Sequence, residues 1–283
     1  MPVSTLSLPA PAKLNLFLHI TGRRDDGYHL LETVFQLLDY GDAMQFQRRN
    51  DGVLTLQPEL AGVPFESNLV VRAARALQAE TGCRLGADIR LEKRIPMGGG
   101  LGGGSSNAAT TLRALNRLWQ LGLSVDSLAA IGLRLGADVP VFVRAETAYA
   151  TGIGEALTAV QMPAQCFAVF TPPVAVPTAE IFRHPALTRD TRPCTIRALA
   201  DRGWFEQTRN DCEPLVRTLY PAVNSLIERL QNVAPTRMTG TGSSVFALAR
   251  DETHAQHLLD ACADLAPGFV ARSIQRSALF DCV

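Results

Sequence analysis

The chain has 283 residues, enough for one large domain or two ordinary ones, and 47% of them are hydrophobic. Lysine plus arginine and aspartate plus glutamate both number 27, so the formal net charge is zero and offers no general positive field for nucleic acid. The chain start lacks the pattern of a signal peptide, and no stretch approaches a membrane span of about 20 apolar residues. We therefore expect a cytoplasmic globular protein that binds neither nucleic acid nor membrane.

The first predicted elements are two strands with a helix between them. Residues 12–20, AKLNLFLHI, alternate with a period of two, which predicts a strand. This period places Lys13 and Asn15 on one face, away from the aliphatic row. A helix is predicted over residues 67–77, and a second alternating strand over residues 87–92. The second strand leads into the most distinctive segment of the chain.

That segment is glycine-rich and precedes a helix. Residues 97–106 read MGGGLGGGSS, and the helix is predicted over residues 107–119 with Ser105 or Ser106 as its N-cap. The free N–H groups of a first helical turn and the helix dipole attract anions, and glycine lets the backbone approach phosphate oxygens closely. The order strand, glycine loop, helix therefore predicts a phosphate-binding site.

Two common phosphate-binding motifs are alternatives for this loop. The P-loop requires a lysine where Gly104 stands, so that interpretation fails. The dinucleotide pattern G-x-G-x-x-G matches Gly98, Gly100 and Gly103, and its acidic partner about 20 residues on would be Asp126, which resembles a helix cap. A dinucleotide-binding oxidoreductase and a purely structural glycine turn therefore stay open as alternatives.

The residues after this helix predict another helix and a turn. A second helix is expected from Asp126, as its N-cap, to Leu135, and Gly136 ends it. The following residues lead into a short apolar run at residues 141–143. The six cysteines of the chain contain no C-x-x-C pair and no acidic metal cluster is visible, so we expect reduced thiols and name no protein metal ligand.

A proline-rich segment suggests a division into two lobes. A strand is predicted over residues 166–170, and TPPVAVPT follows at residues 171–178. We place the boundary near residue 160, which gives an N-terminal lobe of residues 1–160 and a C-terminal lobe of residues 161–283.

The second lobe has its own helix and strand signals. Pro221 opens a helix as its first residue, and Asp251 caps another. Between them, TGTGSSVFALA at residues 239–249 is a second glycine–serine turn that enters a strand, and residues 269–274 predict a last strand. Helices and strands mixed without regular βαβ alternation predict an α+β protein.

Three blocks of this sequence together resemble the GHMP small-molecule kinases. They are PAKLNL at residues 11–16, continuing to DGYH at residues 26–29; PMGGGLGGGSSNAA at residues 96–109; and TGTGSSVF at residues 239–246. The third block has threonine at two positions where serine is common in the family, and both keep a hydroxyl. The resemblance covers nearly the whole chain. It implies an α+β, two-lobed GHMP kinase fold with a ferredoxin-like C-terminal lobe, and ATP and substrate in the cleft between the lobes.

The resemblance also implies roles for one lysine and one aspartate. Asp138 would accept the proton of the substrate hydroxyl, and Lys13 would keep Asp138 ionised and stabilise negative charge on the acceptor oxygen. On sequence alone, Asp138 could equally be a turn residue and Lys13 a solvated strand residue. Mg²⁺ would accompany ATP, held mostly by phosphate oxygens and water. The presence of both residues argues against a non-catalytic nucleotide-binding regulator, the third alternative.

The remaining site residues are implied by the same resemblance. The block DGYH resembles the branch of the family whose small-molecule substrate carries a cytidyl group, with Tyr28 and Phe182 on either side of the cytosine ring and His29 at its edge. We expect a monomer or weak homodimer. The residues expected at the nucleotide are Asn68, Val70, Lys93, Pro96, Met97, Gly98, Gly99, Gly100, Leu101, Gly102, Gly103, Gly104, Ser105 and Ser106. The residues expected at the substrate are Asn15, Tyr28, His29, Thr178, Phe182, Gly240, Gly242 and Ser243.

Overall fold

A computed structural model describes residues 4–194 and 203–282; residues 195–202, within the second predicted lobe, lie outside the described residues. Strands and helices alternate without a regular βαβ repeat, as predicted for an α+β protein. The strands are β1 (Thr5–Arg23), β2 (His29–Arg49), β3 (Leu54–Gln57), β4 (Gly86–Glu92), β5 (Ala148–Thr151), β6 (Ala156–Ala159), β7 (Cys166–Phe170), β8 (Thr236–Met238), β9 (Val245–Ala249) and β10 (Gly268–Ile274). The helices are a 3₁₀ turn (Phe65–Ser67), α1 (Leu69–Thr81), α2 (Gly103–Leu118), α3 (Val125–Leu135), α4 (Val139–Arg144), α5 (Thr178–Arg183), α6 (Trp204–Gln207), α7 (Glu213–Leu219), α8 (Pro221–Gln231) and α9 (Glu252–Ala261).

Two long strands organise the N-terminal lobe. β1 pairs antiparallel with β2 along most of its length, and irregularities interrupt the register at three places. One of these lies between Pro11 and Lys13, and another between Asn15 and Leu18. Such bulges re-aim side chains. The other neighbours of β2 are β4, β5 and β10, all antiparallel, and α1 to α4 bury the apolar side of this sheet.

The C-terminal lobe has the predicted ferredoxin-like arrangement. Its strands lie in the order β10-β7-β9-β8, all antiparallel, and the chain runs β7, helices, β8, β9, α9, β10. This is the split β-α-β-β-α-β pattern. Ala168 and Phe170 of β7 pack with the helices, whereas Phe167 and Val169 face a separate core. The two-residue period of a strand therefore puts helices on one face of this sheet and the N-terminal lobe on the other.

The aliphatic row of β1 forms the contact between the lobes. Leu14 and Leu16 are buried together with Phe167, Val169 and Phe246 of the C-terminal sheet. β10 joins the lobes a second time, because it pairs with β7 on one side and with β2 on the other. The sheet is thus continuous through the molecule. The boundary at residue 160 stays a prediction.

Two predicted helix starts are wrong, and both errors concern caps. α2 begins at Gly103, not after the serines, because Gly102 adopts a left-handed conformation (φ 74°) that turns the chain into the helix. Ser105 and Ser106 lie in its first turn. α3 begins at Val125 with Ser124 as the cap, whose hydroxyl accepts from the Ser127 N–H at 3.1 Å; Asp126 stands in the first turn.

Other predicted boundaries agree with the structure. Gly136 ends α3, Pro221 opens α8, and the Asp251 carboxylate accepts from the His254 N–H at the start of α9. The apolar run 141–143 lies in the short helix α4. The dinucleotide-binding interpretation is wrong, because α2 leads into α3 and α4 and not into a second parallel strand that ends in an acidic residue. None of the helices in the described part of the chain has the length and apolar character that a membrane crossing requires.

Candidate active site

An ion pair between a buried lysine and a half-buried aspartate lies at the centre of the site. The Lys13 side chain is only 3% exposed, and its Nζ lies 3.2 Å from Asp138 Oδ2. The same ammonium donates to Asn15 Oδ1 at 2.5 Å and to Gly100 O at 3.0 Å. Its centre is 5.2 Å from the Phe35 ring. Three acceptors thus satisfy the three N–H groups of a lysine that the sequence alone could have left in solvent.

Asp138 reaches this pair from the start of α4. The residue precedes Val139 and Pro140 as the N-cap, with proline in the first helical turn where its missing N–H costs nothing. Within the described residues, the Asp138 side chain makes no capping hydrogen bond, so its carboxylate stays free to face Lys13. The side chain is 35% exposed, which leaves one side of the pair open to a ligand.

The predicted face of β1 continues into a second line of hydrogen bonds. The Asn15 N–H donates to Thr239 Oγ1 at 2.7 Å, and its Nδ2 donates to Thr33 Oγ1 at 2.9 Å. These bonds orient Asn15 Oδ1 toward Lys13. Gly240 packs beside the same amide, since a Cβ there would lie 3.3 Å from Asn15 Oδ1. The glycine–serine turn of the C-terminal lobe therefore closes on the β1 site.

The glycine loop requires glycine for two physical reasons. Gly98, Gly100 and Gly102 have φ near +75°, a region that other residues rarely adopt. At Gly102, a Cβ would also lie 2.7 Å from Phe142 and 3.2 Å from Lys13 Cε. At Gly103, a Cβ would lie 3.1 Å from Lys93 Nζ. The loop thus lets the start of α2 come close to both lysines.

A cavity of about 280 Å³ lies beside this loop. Most of the residues predicted at the nucleotide line it: Asn68, Lys93, Pro96, Met97, Gly98, Gly99, Gly100, Leu101, Gly102, Gly103 and Gly104. The first turn of α2 has no side-chain cap within the described residues, so its N–H groups remain open for an anion. The cavity therefore combines a helix N-terminus, a glycine backbone that a ligand can approach closely and one lysine, which suits a polyphosphate.

Three residues predicted at the nucleotide do not line this cavity: Val70, Ser105 and Ser106. The Val70 side chain is 1% exposed and belongs to the core, and its N–H donates to the capping Asn68 Oδ1 at 2.9 Å. Ser105 lies near Gly136, on the Asp138 side of α2. Ser106 is fully buried, and its hydroxyl has no hydrogen-bond partner among the described residues. The structure therefore does not place the Val70 side chain in the cavity.

Sequence reasoning missed an acidic residue that positions Lys93. Asp42 is fully buried, and its Oδ2 accepts from Lys93 Nζ at 2.5 Å and from Asn107 Nδ2 at 2.8 Å. Its other oxygen accepts the N–H groups of Arg94 (2.7 Å) and Ile95 (2.9 Å). This carboxylate thus ties β2 to the strand end before the glycine loop and to α2. A lone aspartate between apolar runs gives no sequence signal for such a role.

A second pocket of about 490 Å³ lies on the other side of Asp138. Tyr28, His29 and Phe182 line it, and so does Ala137, the neighbour of Asp138. The rings of His29 and Phe182 are stacked, with centroids 5.2 Å apart and an angle of 25°. Tyr28 is 60% exposed at the rim. The structure therefore brings the three predicted aromatic residues together, with His29 packed against Phe182.

The main-chain groups of His29 point away from β1. The Arg24 N–H donates to Tyr28 O at 2.8 Å. Along antiparallel strands, hydrogen-bonded and non-hydrogen-bonded pairs alternate, so the next β1–β2 pair, which contains His29, is a non-hydrogen-bonded pair. On the same edge of β2 as His29, the Leu31 N–H donates to Gly152 O at 2.8 Å, and the residue after Gly152 lines the pocket. A main-chain donor and acceptor of His29 therefore face the pocket side.

The other predicted substrate residues join α5 to the glycine–serine turn within the C-terminal lobe, near this pocket. Thr178 Oγ1 lies 2.8 Å from Thr241 Oγ1, which joins the start of α5 to the glycine–serine turn. In that turn, Gly242 has φ +91°, and the buried Ser243 hydroxyl donates to Pro172 O at 3.3 Å. These contacts hold α5, and with it Phe182, close to the β1 site.

One grouping of metal-ligand types occurs among the described residues, and its hydrogen bonds argue against a metal. Three residues each offer one possible metal-ligating atom, and these atoms lie within 4.8 Å of one another: His19, Glu32 and Cys194. The Arg209 N–H donates to His19 Nε2 at 3.2 Å, so the neutral ring carries its proton on Nδ1, the atom 3.9 Å from Glu32 Oε2. A ligating nitrogen would have to lose that proton. Nδ1 has no hydrogen-bond partner among the described residues, and its proton leaves the ring without a free lone pair for a metal at this cluster.

Comparison with protein families and solved structures identifies the class of this protein. The family model for the GHMP kinases N terminal domain matches residues 68–146, and that for the GHMP kinases C terminal matches residues 193–267. Relatives more than half identical over nearly the whole chain also match. The chain belongs to the GHMP kinase family.

Several similar proteins carry the name of one kinase. A 4-diphosphocytidyl-2-C-methyl-D-erythritol kinase of Pseudomonas entomophila is 54% identical over 274 residues, 97% of this chain and 94% of the relative. The protein of that name in Alkalilimnicola ehrlichii is 56% identical over 271 residues, 96% of this chain and 92% of the relative. The crystal structure of a 4-(cytidine 5'-diphospho)-2C-methyl-D-erythritol kinase superposes with a TM-score of 0.83 at 32% identity, over 95% of this chain and 99% of that one. A homoserine kinase of Cytophaga hutchinsonii shares the fold, with a TM-score of 0.73 at 16% identity and coverage of 97% and 96%.

Proposed function

We propose that this protein is an ATP-dependent kinase that phosphorylates the 2-hydroxyl of 4-diphosphocytidyl-2-C-methyl-D-erythritol, in non-mevalonate isoprenoid synthesis. The observation that carries the proposal is the position of the Lys13–Asp138 pair between two cavities. Gly100, whose carbonyl accepts from Lys13, lines the glycine-loop cavity, and Ala137, next to Asp138, lines the aromatic pocket. A phosphoryl donor and a base-containing acceptor would thus meet at this pair.

The chemistry at this pair is a proton transfer. Asp138 accepts the proton of the attacking hydroxyl, a role that requires an ionised carboxylate within hydrogen-bond reach of the alcohol. The Lys13 ammonium, 3.2 Å from Asp138, can donate to the developing alkoxide and stabilise its negative charge. Asn15 and Gly100 hold the ammonium in place. Positioning and electrostatic stabilisation are the main demands of phosphoryl transfer.

The glycine loop and the start of α2 bind the phosphate groups of ATP, the phosphoryl donor. Their open N–H groups stabilise phosphate charge through hydrogen bonds and the helix dipole, and Lys93, which Asp42 positions, adds an ammonium donor at the cavity edge. We propose Mg²⁺ as the accompanying ion, held mainly by phosphate oxygens and water, because the described carboxylates form no cluster for it. The buried, unpartnered Ser106 hydroxyl at this helix end fits an oxygen ligand of such an ion. When bound, the ion neutralises phosphate charge.

The aromatic pocket selects the base. Cytosine presents an acceptor at N3 and an amino donor at C4, which match the N–H and C=O that His29 directs to the pocket side; uracil has the reverse pattern at these positions and would be penalised. Tyr28 and Phe182 offer flat faces for stacking.

We propose that the partner of this protein is a small-molecule cytidyl compound and that the protein acts in the cytoplasm. We propose a monomer or weak homodimer.

A coupled assay of ADP release with the cytidyl alcohol and ATP-Mg²⁺ tests the function directly. We expect turnover with this substrate and none with homoserine or mevalonate, whose kinases share the fold but need no base pocket. Efficient turnover of either of those alcohols, with none of the cytidyl substrate, would leave the GHMP kinase class standing and remove the proposed substrate. Thermal stabilisation by NADH and none by ATP would contradict the kinase function itself.

A further inference from the structure

One arginine that is not among the predicted site residues connects the two walls of the base pocket. Arg189 Nε donates to His29 Nε2 at 3.0 Å. Its two terminal nitrogens donate to main-chain carbonyls at the end of α5 and in the turn that follows: Phe182 O (3.1 Å), His184 O (2.8 Å), Pro185 O (3.5 Å) and Leu187 O (3.0 Å). A single planar guanidinium therefore fixes the α5 wall and the β2 wall relative to each other.

These hydrogen bonds also determine where the His29 ring carries its proton. A guanidinium can only donate, so the nitrogen that it contacts must be the unprotonated one. The neutral ring then carries its proton on Nδ1, and that N–H has no partner among the described residues. A charged ring would carry an N–H on both nitrogens and could not accept from Arg189. The contact is therefore compatible with one of the three protonation states of the imidazole.

We propose that Arg189 is a positioning residue of the base pocket, which holds the His29 ring against Phe182 as the neutral tautomer protonated on Nδ1. The inference rests on the proposed function, because it assigns the ring a task in binding the cytidyl group. An Nδ1–H in the pocket adds a donor for the acceptor atoms of cytosine, N3 and O2, beside the main-chain N–H of the same residue. Arg189 would act on affinity for the cytidyl substrate and not on the transfer step.

The surroundings of His29 favour the same neutral state. Burial, the positive charge of Arg189 and that of Arg23 all lower the pKa of His29 below its usual 6.5. The other charged or titratable groups that line the pocket are Asp26 and Tyr28 from the turn before β2, and Arg183 from α5. Cytidyl affinity should consequently be constant above pH 6.5 and should fall only in more acidic solution, where the ring gains its second proton.

The first test needs no substrate. We expect the ¹⁵N spectrum of histidine-labelled protein to show His29 with a protonated Nδ1 and a bare Nε2, assigned by its loss in His29→Asn. Arg189→Met should shift the ring toward the Nε2-protonated tautomer. A wild-type ring protonated on Nε2 would overturn the proposal, whatever the enzyme phosphorylates.

The second test uses kinetics with the cytidyl alcohol. Arg189→Met should raise KM for this substrate about 3- to 10-fold, the change expected for one hydrogen bond, with KM for ATP and kcat little altered. The acid limb of kcat/KM should move toward pH 6.5, because one positive charge beside His29 is gone. Arg229→Met is the matched control: Arg229 donates to Ala261 O at the end of α9, away from the pocket, and its loss should leave these constants unchanged.

A double variant separates action through His29 from support of the turn alone. Asn can present an N–H near the position of Nδ1 and cannot reach Arg189. If Arg189 acts through the ring, Arg189→Met should move the acid limb in the wild type and have no such effect in His29→Asn. An unchanged acid limb in Arg189→Met, or an equal loss of affinity in both backgrounds, would assign Arg189 a structural role only. Absence of turnover by the wild type would instead contradict the proposed function and leave the ¹⁵N result as the test.

Discussion

The two ends of the site are built in different ways. At the phosphoryl end, the reactive ammonium of Lys13 is 3% exposed, has three hydrogen-bond acceptors, and lies against a loop that only glycine can form. At the base end, Tyr28 is 60% exposed, and the pocket walls come from separate elements joined by side-chain hydrogen bonds. The end that performs chemistry is fixed before substrate arrives, whereas the end that selects the substrate retains solvent-exposed side chains.

This difference has an energetic meaning. Rate enhancement depends on groups held in place where charge develops, so the reorganisation must be complete in the folded protein. Recognition of a base requires only moderate stacking and edge contacts, which exposed side chains can supply. Substitutions at the phosphoryl end should therefore affect kcat and folding strongly, and substitutions at the base end should mainly affect KM.

The largest effect is expected at Asp138. Asp138→Asn keeps the shape of the side chain and removes its ability to accept a proton, so kcat should fall by about 10²- to 10⁴-fold. ATP affinity, measured by titration calorimetry, should change little. Asp126→Asn is the control, since that carboxylate pairs with Arg144 on the surface and should leave kcat unchanged. A folded Asp138→Asn enzyme with more than half of its activity would show that Asp138 is a turn residue.

The buried network beneath the loop should matter mainly for stability. Asp42→Asn leaves Lys93 without its carboxylate, which should lower the free energy of unfolding by about 3 kcal/mol and raise KM for ATP. Asp264→Asn breaks an exposed pair with Arg229 and should cost less than about 1 kcal/mol. Urea denaturation of both variants makes the comparison. Equal losses would mean that the phosphoryl end does not depend on the buried pair.

Two glycines with the same backbone conformation separate strain from crowding. Gly102→Ala and Gly122→Ala both place a Cβ at φ near +70°, but only the first directs it against Phe142 and Lys13. We expect Gly102→Ala to be less stable than Gly122→Ala by about 1–3 kcal/mol and to lose activity. Thermal unfolding and turnover of the pair measure the difference. Matching stabilities and activities would contradict the close approach at Gly102.

The smallest effect is expected at the exposed aromatic residue. Tyr28→Ala removes one stacking face, worth about 1–3 kcal/mol, so KM for the cytidyl substrate should rise about tenfold with KM for ATP unchanged. Tyr28→Phe keeps the face and should behave as the wild type does. Cytidine nucleotides should compete with substrate better than uridine nucleotides. Equal competition by both would remove the base-edge selection from the proposed function.

The sequence predicted the ends of this site better than its supports. The alternation in residues 12–20 placed Lys13 and Asn15 together, and Lys13 donates to Asn15 as that face requires. It could not show that β1 is buried on both faces, because the C-terminal sheet that covers the aliphatic row comes more than 140 residues later. Asp42 and Arg189 give no sequence signal for their roles, since Asp42 accepts from Arg94 and Ile95, more than 50 residues later, and the His29 ring that Arg189 contacts lies 160 residues earlier.

Helix caps were the least predictable local feature. A serine before an apolar run normally indicates an N-cap, yet α2 starts earlier because a left-handed glycine turns the chain. Because glycine has no side chain to cap the helix, the first-turn N–H groups of α2 stay open within the described residues. The helix start that was predicted wrongly is therefore also the proposed anion site. Val70 shows the opposite error. The family resemblance indicated contact with the nucleotide, but the helical period of α1 directs the Val70 side chain into the core.

The pairing of β10 with both β2 and β7 has a consequence for how the chain can be divided. Gln36 Nε2 on β2 donates to Ile274 O at 3.0 Å, so a fragment that ends near residue 160 would lose one of the three acceptors of this buried amide and would expose the part of the β2 edge that β10 covers. If the two lobes were expressed as separate chains, each would therefore have a sheet with an unpaired strand edge, which promotes association with other chains. When the two lobes are expressed together, they should associate into the complete sheet and behave as a split enzyme. Its kinase activity would then measure the association of the two lobes.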